Sequence, residues 1–389
     1  MKDIALGIVG FGGIGIEHAK NVLSGKVPGL RLAAVANRTR SRMDLLDDLG
    51  GEGVERFTDY KDMLRGNLID AVLIATPHPA HFAQGMDAFE AGKHVLMEKP
   101  ACLESDEARM LVRASIEAKR VYAMMFNKRA DPALRAMKEL LLSANLGAVR
   151  RLNCISTGWF RAQCYYDSCA WRGTWSGEGG GVLVNQAAHT IDTIVWLAGL
   201  PVSVHAHCHE GKWHDIEVED DVTAYMEYEN GATGVFVSTT GDAPGIQRID
   251  ITLEGGTLLY EDGKLTLKRL ESTLSQFTRE YRSGYGQPSH ESLDLTPREA
   301  EVSGHIIIMR DFVEAIRSAS RPIADGADGY RQVLLSNSIH LSSWLGKSVQ
   351  PLNLDWELYK KMLGEKIASS RPKAQTGKVL DTSSAFKTL

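Results

Sequence analysis

The sequence predicts an α/β chain in two parts: a parallel sheet covered by helices on both faces, then an α+β region with one large, open, mostly antiparallel sheet. Three observations carry this. Short apolar runs alternate with helical stretches over the first 125 residues or so, the rhythm changes after about residue 148, and a glycine-rich turn closes the first apolar run.

The first rhythm begins with the apolar strand Ile4–Val9, a helical pattern over Glu17–Leu23 and a second strand over Leu32–Ala36. A helix over Arg40–Leu49, a buried-type strand over Ala71–Ala75 and a helix over Ala80–Ala91 follow. His94–Met97, Glu104–Ala118 and Val121–Phe126 continue as strand, helix and strand. Near-continuous apolar strands are those of a parallel sheet buried on both faces. In the second part, strands are expected over Val149–Ser156, Val202–His209, Val222–Tyr228, Thr233–Thr239, Arg248–Leu253, Thr257–Tyr260 and Leu265–Leu270. Asn230-Gly231, Gly255-Gly256 and Asp262-Gly263 separate several of them, and such dipeptides supply the positive φ of hairpin turns. Many of these strands alternate apolar and polar residues, so one face of the sheet is exposed, and helices over Ala187–Ala198, His305–Ala319 and Tyr330–Leu345 are expected on the other. The expected divisions are 1–126, 127–352 and a C-terminal extension over 353–389, with a polar, loosely held tail from Ser369.

A chain of 389 residues is too long for one ordinary core. With 43% hydrophobic and 24% charged residues and a net charge of -5, it has the mix of a soluble globular protein and no basic block for nucleic acid or anionic membrane. No apolar stretch approaches the roughly 20 residues that span a bilayer. Asp3 and the glycines from Gly10 to Gly15 make the N-terminus a poor signal peptide. Five cysteines without CxxC pairing fit reduced thiols in the cytoplasm. His205, His207 and His209 share one strand face; an exposed polar face outweighs a metal site, because no recognised ligand spacing accompanies them.

Gly10-Phe11-Gly12-Gly13-Ile14-Gly15 fits G-x-G-x-x-G, after a strand and before a helix, which is the context of a dinucleotide-binding turn. The residue closing the second strand reads the ribose, where an acidic side chain binds the 2′-hydroxyl and repels a 2′-phosphate. Here Asn37 and Arg38 stand in its place, with Arg40 and Arg42 behind, which favours NADP over NAD unless these arginines simply open a solvated helix. Thr76-Pro77-His78 and Glu98-Lys99-Pro100 close two neighbouring strands at their carboxyl ends, where open α/β sheets bind ligands.

These motifs, with Ala91-Gly92-Lys93-His94-Val95 and the later run from Gly179 through Asn185 and His189 to Asp192, resemble the glucose–fructose oxidoreductase and inositol dehydrogenase (Gfo/Idh/MocA) family of oxidoreductases. The resemblance reaches to about residue 352. It implies an N-terminal Rossmann domain, a C-terminal open sheet that mediates dimers or tetramers, and an NAD(P)-dependent hydride transfer at a hydroxyl carbon of a sugar or cyclic polyol. It places Lys99 as catalytic lysine and His189 as catalytic histidine, with Asn185 where many relatives carry an aspartate. Glu98 and Asn127 join the glycine turn and Thr76, Pro77 and His78 as expected cofactor contacts.

If the run is helical, Asn185, His189 and Asp192 share one face, and Asp192 either orients His189 or pairs elsewhere. Trp159–Trp175 is dense in aromatics and arginine, suited to sugar rings and hydroxyls but also to a packed irregular loop. From it, Arg161 and Tyr165 are expected at the substrate with Lys99, Asn185 and His189, while Trp171 and Arg172 resemble a Trp-Arg pair beside the nicotinamide. Ser283–Pro288 reads as a lid, a subunit contact or a plain surface loop. A dehydrogenase or reductase is the leading reading. The alternatives are a glycoside-cleaving enzyme that oxidises its sugar transiently with a retained cofactor, and a cofactor-binding regulator without turnover.

Overall fold

A computed structural model describes residues 2–143 and 145–371. The N-terminal sheet has six strands: β1 (Ile4–Val9), β2 (Leu30–Ala36), β3 (Glu55–Phe57), β4 (Ala71–Ile74), β5 (His94–Met97) and β6 (Tyr122–Met124). Their order is β3-β2-β1-β4-β5-β6, and every pairing is parallel. The order reverses between β1 and β4, and that switch point opens a crevice beyond the carboxyl ends of the strands. All residues of β1 and β4 are buried, as expected of central strands with helices on both faces.

The helices of this part are α1 (Gly13–Leu23), α2 (Arg40–Met43), α3 (Leu45–Asp48), α4 (Tyr60–Arg65), α5 (His81–Glu90) and α6 (Ser105–Glu117). The single helix expected over Arg40–Leu49 is two short turns broken at Asp44, an arrangement in which Met43 and Leu46 both bury. The strand β3 was not expected; only three residues long, it has too few positions to show a period.

The second part adds α7 (Pro132–Leu142), α8 (Gln163–Asp167), α9 (Trp175–Glu178) and α10 (Ala188–Ala198). Its strands are β7 (Val149–Ser156), β8 (Ser203–Glu210), β9 (Glu219–Glu227), β10 (Thr233–Thr239), β11 (Gln247–Leu253), β12 (Gly256–Glu261), β13 (Lys264–Leu270) and β14 (His290–Asp294). They form one sheet ordered β14-β13-β12-β11-β7-β10-β9-β8, antiparallel except where β7 meets β10. In β9, Val222, Ala224 and Met226 enter the core while Thr223, Tyr225 and Glu227 face outward. Helices α7 and α10 cover the inner face through Leu134, Met137, Ile191 and Ile194.

The remaining helices are α11 (Leu274–Glu280), α12 (Gly304–Ser318), α13 (Gly326–Leu345) and α14 (Trp356–Ser369). One expectation fails here. Helix α12 does not cover the second sheet; Ile306, Ile308, Met309, Phe312 and Val313 pack with Leu6, Ile8, Leu73 and Leu96 of the first. Its apolar stripe fits either surface, and the chain path selects the first. Helix α13 spans both parts, with Val333 in the N-terminal core and Leu335 and Ile339 in the C-terminal one. Helices α7 and α14 were not expected, although each begins with a capping aspartate: Asp131 accepts from the amides of Ala133 (2.8 Å) and Leu134 (3.2 Å), and Asp355 from Leu358 (3.0 Å). The tail expected from Ser369 lies outside the described residues beyond Arg371; Ser370 and Arg371 hydrogen-bond Glu217.

Candidate active site

The glycine turn shows where a phosphate fits. Gly10 has φ +94°, and a Cβ there would lie 2.6 Å from the Ala75 carbonyl oxygen. A Cβ on Gly15 would lie 2.0 Å from the Gly10 carbonyl oxygen, so both glycines serve the turn and the helix–strand packing. Around Gly12 and Gly13 a Cβ would meet nothing within 4 Å. Gly12 caps α1 without a side-chain hydrogen bond, leaving the first amides and the positive end of the helix dipole facing that open space. The residues present therefore fit a pyrophosphate. Phe11 is a fully buried core side chain, while Ile14 is half-buried at the edge of that core.

At the end of β2, Asn37 is committed locally: its Oδ1 accepts from the Phe11 amide (3.1 Å) and its Nδ2 donates to the Thr39 carbonyl (2.9 Å). Arg38 and Arg40 are exposed, and neither forms an ion pair among the described residues.

The turns closing β4 and β5 are joined by His81, a residue the sequence did not mark. Fully buried, its ring spans the carbonyl oxygens of Thr76 (2.8 Å) and Pro100 (2.7 Å). Pro77 caps the short turn His78–Ala80. The buried His78 donates from Nδ1 to the Glu178 carbonyl (3.2 Å), which ties this turn to the second part of the chain. Burial, with help from His81 and Lys99, pushes His78 down to about 3. Glu98 accepts from Nε2 of the buried His18 on α1 (2.7 Å). Burial alone would raise the Glu98 carboxyl, but that hydrogen bond and the neighbouring imidazoles outweigh it and hold it at about 2.

Lys99 reaches across to Asn185, donating to its carbonyl oxygen (2.7 Å) and to its Oδ1 (3.2 Å). Burial pushes the Lys99 ammonium down from its ordinary value. The condition for Asn185 to share a helix face with His189 is not met. Asn185 lies in the turn before α10, its amide donating to the Gly181 carbonyl (3.0 Å). Glu219 fixes that turn from β9 by accepting from the amides of Gly181 (2.9 Å) and Leu183 (3.1 Å). The Asn185 Nδ2 donates to Glu178 Oε1 and to the Tyr165 hydroxyl (3.3 Å), so its amide is held with Oδ1 toward Lys99. Glu178 and Gln186 were missed as site residues, although Gln186 stands in the motif that carried the resemblance and Glu178 directly precedes it. Glu178 is buried, its other oxygen accepts from the Gly173 amide (2.7 Å), and burial raises its carboxyl above the ordinary value.

His189, in the first turn of α10, is 6% exposed, and its Nδ1 is buried without a hydrogen bond. Burial and then Lys99 push this imidazole well below its ordinary value, so it is neutral near pH 7. Asp192 does not orient it. Both Asp192 oxygens accept from Arg129 (2.6 and 2.8 Å), which also donates to Asp328 on α13 (2.8 Å). Asn127, in a short turn after β6, is buried, and its Oδ1 has no hydrogen-bond partner among the described residues.

From the aromatic loop, Tyr165, Arg161, Trp171 and Arg172 join this cluster. The Tyr165 hydroxyl accepts from Arg172, from Asn185 and from Gln186 Nε2 (3.3 Å). The guanidinium carbons of Arg172 and Arg161 lie 4.3 Å and 5.2 Å from the centre of its ring. Trp171 meets His78 edge to face. The loop is therefore packed and polar at once. The Ser283–Pro288 loop is exposed, with Tyr285 at its tip 94% exposed, and among the described residues it makes no hydrogen bond to the cluster. His207 and His209 are exposed on β8, and among the described residues no group of three His, Cys, Asp or Glu is placed to hold a metal.

A six-stranded parallel sheet with this glycine turn at its switch point is the architecture of a dinucleotide-binding domain. Residues 4–126 match an oxidoreductase family with an NAD-binding Rossmann fold, and residues 134–259 match the Gfo/Idh/MocA C-terminal domain. The chain belongs to the Gfo/Idh/MocA family. An inositol 2-dehydrogenase of Rubrobacter xylanophilus is 34% identical over 197 residues, 50% of this chain, and the match spans about half of that relative's length (52%). A levoglucosan dehydrogenase of Pseudarthrobacter phenanthrenivorans is 25% identical over 384 residues, 87% of this chain and 96% of its own. Among solved structures, the WlbA dehydrogenase of Bordetella pertussis in complex with NADH and UDP-GlcNAcA superposes with TM-score 0.75 at 25% identity, covering 91% of this chain and 100% of that one.

Proposed function

We propose that this protein is an NAD(P)-dependent dehydrogenase that oxidises a hydroxyl carbon of a sugar, sugar derivative or cyclic polyol, or reduces the corresponding ketone. The observation that carries the reading is the hydrogen bonding of Lys99, just past the carboxyl end of β5, to Asn185, with the neutral His189 near enough to feel the lysine's charge. The names of the relatives support the substrate class.

When bound, the nicotinamide accepts or supplies the hydride. The turn at Gly12 and the α1 amides would hold the pyrophosphate, while Thr76, Pro77, His78, Glu98 and Asn127 would border the rest of the cofactor, with Trp171 and Arg172 at its nicotinamide end. His189 takes the hydroxyl proton, and its depressed basicity keeps it unprotonated and ready near neutrality. Lys99, anchored by Asn185, donates to the developing alkoxide. Asn185, Tyr165 and Arg161 bind further substrate oxygens.

The unpaired Arg38, with no acidic residue closing β2, favours NADP over NAD in this reading. The outward polar face of the eight-stranded sheet, with Thr223 and Tyr225 on it, supports a homodimer or homotetramer built through that face. All five cysteines are free, which suits the cytoplasm. No helix among the described residues is long and apolar enough to cross a membrane.

The test is a panel of sugars and polyols with each oxidised cofactor, followed at the reduced-nicotinamide absorbance. Reduced cofactor should accumulate in proportion to product. Product formed without it would replace this reading with transient oxidation. Binding of NAD tighter than NADP by tenfold, about 1.4 kcal/mol, would reverse the cofactor preference.

A further inference from the structure

Where this chain buries an arginine deeply, it pairs it: Arg129 is held between Asp192 and Asp328. The cations at the candidate active site are treated differently. Among the described residues, Lys99, Arg161 and Arg172 form no ion pair. Arg161 donates to the carbonyl oxygens of Phe160 (2.9 Å) and Trp159 (3.4 Å), which leaves its charge unneutralised. Arg172 spends one N–H on the Tyr165 hydroxyl, and its Nε is buried without a partner.

The three cations face two carboxylates, Glu98 and Glu178, and Arg172 acts on Glu178 across space, so one positive charge remains in excess. Glu98 is engaged by His18 and by the Lys99 amide (3.2 Å), and Glu178 by Gly173 and Asn185. Lys99 feels both signs: burial lowers its basicity first, Glu98 and Glu178 pull it back up, and Arg172 and Arg161 push it down by less. An oxidised nicotinamide beside these groups brings one more positive charge. A neutral polyol offers nothing to balance it, whereas a guanidinium fork matches a carboxylate or phosphate in both charge and geometry.

We propose that the substrate carries an anionic group, a carboxylate or a phosphate, held by Arg161 and Arg172 beside the Tyr165 ring while its reacting hydroxyl lies at Lys99. This rests on the carbohydrate dehydrogenase reading above and narrows its substrate class. It makes Arg161 a specificity determinant rather than part of the proton chemistry.

The test uses charge-matched probes on the full chain with saturating oxidised cofactor: D-glucuronate and D-glucose 6-phosphate against D-glucose, and myo-inositol 1-phosphate against myo-inositol. Calorimetry reads affinity, and absorbance of reduced cofactor is followed in parallel. In at least one pair the anionic member should bind about tenfold or more tightly than its neutral parent. That advantage should shrink as salt rises from about 20 to about 300 mM, fall away in Arg161→Gln and return in part in Arg161→Lys. Thermal melting establishes that the variants are folded. A preference for the carboxylate or for the phosphate identifies the source of the charge. Equal or weaker binding of the anionic member in every pair, including no binding by any of them, overturns the proposal. Salt-sensitive anion binding without any reduced cofactor would instead count against hydride transfer while leaving the anion site standing.

Discussion

The Lys99 Nζ lies 2.7 Å from the carbonyl oxygen of Asn185, a residue 86 positions further along the chain. That contact carries a strand-end turn of the first sheet to a turn fixed by the second, and it sets the lysine's position from outside its own domain.

Removing either proposed reacting group should slow the chemistry and spare cofactor binding. Lys99→Ala and His189→Ala should each lower kcat/KM by roughly 10²-fold or more, the scale of losing alkoxide stabilisation or a general base. Cofactor affinity, read by fluorescence titration, should stay near that of the wild type, because in the proposed reading the turn at Gly12 holds the pyrophosphate. Near wild-type turnover by His189→Ala would move the base to Lys99, Tyr165 or Tyr166.

Asn185→Asp places a carboxylate against Glu178, whose own carboxyl is already raised by burial. Two carboxyls in contact titrate as a pair, with one value pushed up. The variant should keep turning over but gain a new ionisation in its pH–rate profile and a changed KM, and Glu178→Gln in the same background should remove that ionisation. An unchanged pH profile would argue that Glu178 does not reach residue 185 in solution.

Acid should destabilise the fold before it titrates ordinary carboxylates. Burial holds His78 at about 3 and His305 at about 4, both below the ordinary 6.5 of an unfolded chain. The unfolded state therefore binds more protons once the pH falls below about 6.5, and stability declines from there toward pH 4, by up to about 1.4 kcal/mol per pH unit for the buried His78. Glu98, held at about 2 against an ordinary 4.5, adds to the loss at lower pH. Melting temperatures across pH 7 to pH 4 should fall steadily; a flat profile to pH 4.5 contradicts these assignments.

Asp192→Ala separates structure from catalysis. It leaves Arg129 buried with one carboxylate, and breaking such a pair costs about 3–5 kcal/mol. Urea unfolding should show that loss, while kcat of the folded fraction at low temperature changes little. A kcat loss of 10²-fold with unchanged stability would restore Asp192 as the partner of His189.

Contiguous signals were legible in the sequence. The glycine turn, Glu98-Lys99-Pro100 and the run around His189 each occupy a few neighbouring residues whose types follow from local backbone and ligand needs. What the sequence hid depends on distant pairing. His18 meets Glu98 across 80 positions, and Arg129 meets Asp328 across 199, so neither partner carries a local mark. The shared face of Asn185 and His189 held only if the helix reached back to Asn185; Glu219 holds the amides of Gly181 and Leu183 in a turn there, and the helix starts at Ala188, one residue from where it was expected. The placement of α12 was unreadable because one apolar stripe serves either sheet equally well.

That helix has a consequence for modularity. Because Ile308, Met309 and Phe312 complete the core over Leu6 and Ile8, the nucleotide-binding half is assembled from two stretches of chain separated by the whole second sheet. Cutting the gene after residue 126 would strip one layer from that half and leave its β1 face wet. An exchange of this half between relatives would have to carry residues 304–318 together with the first 126.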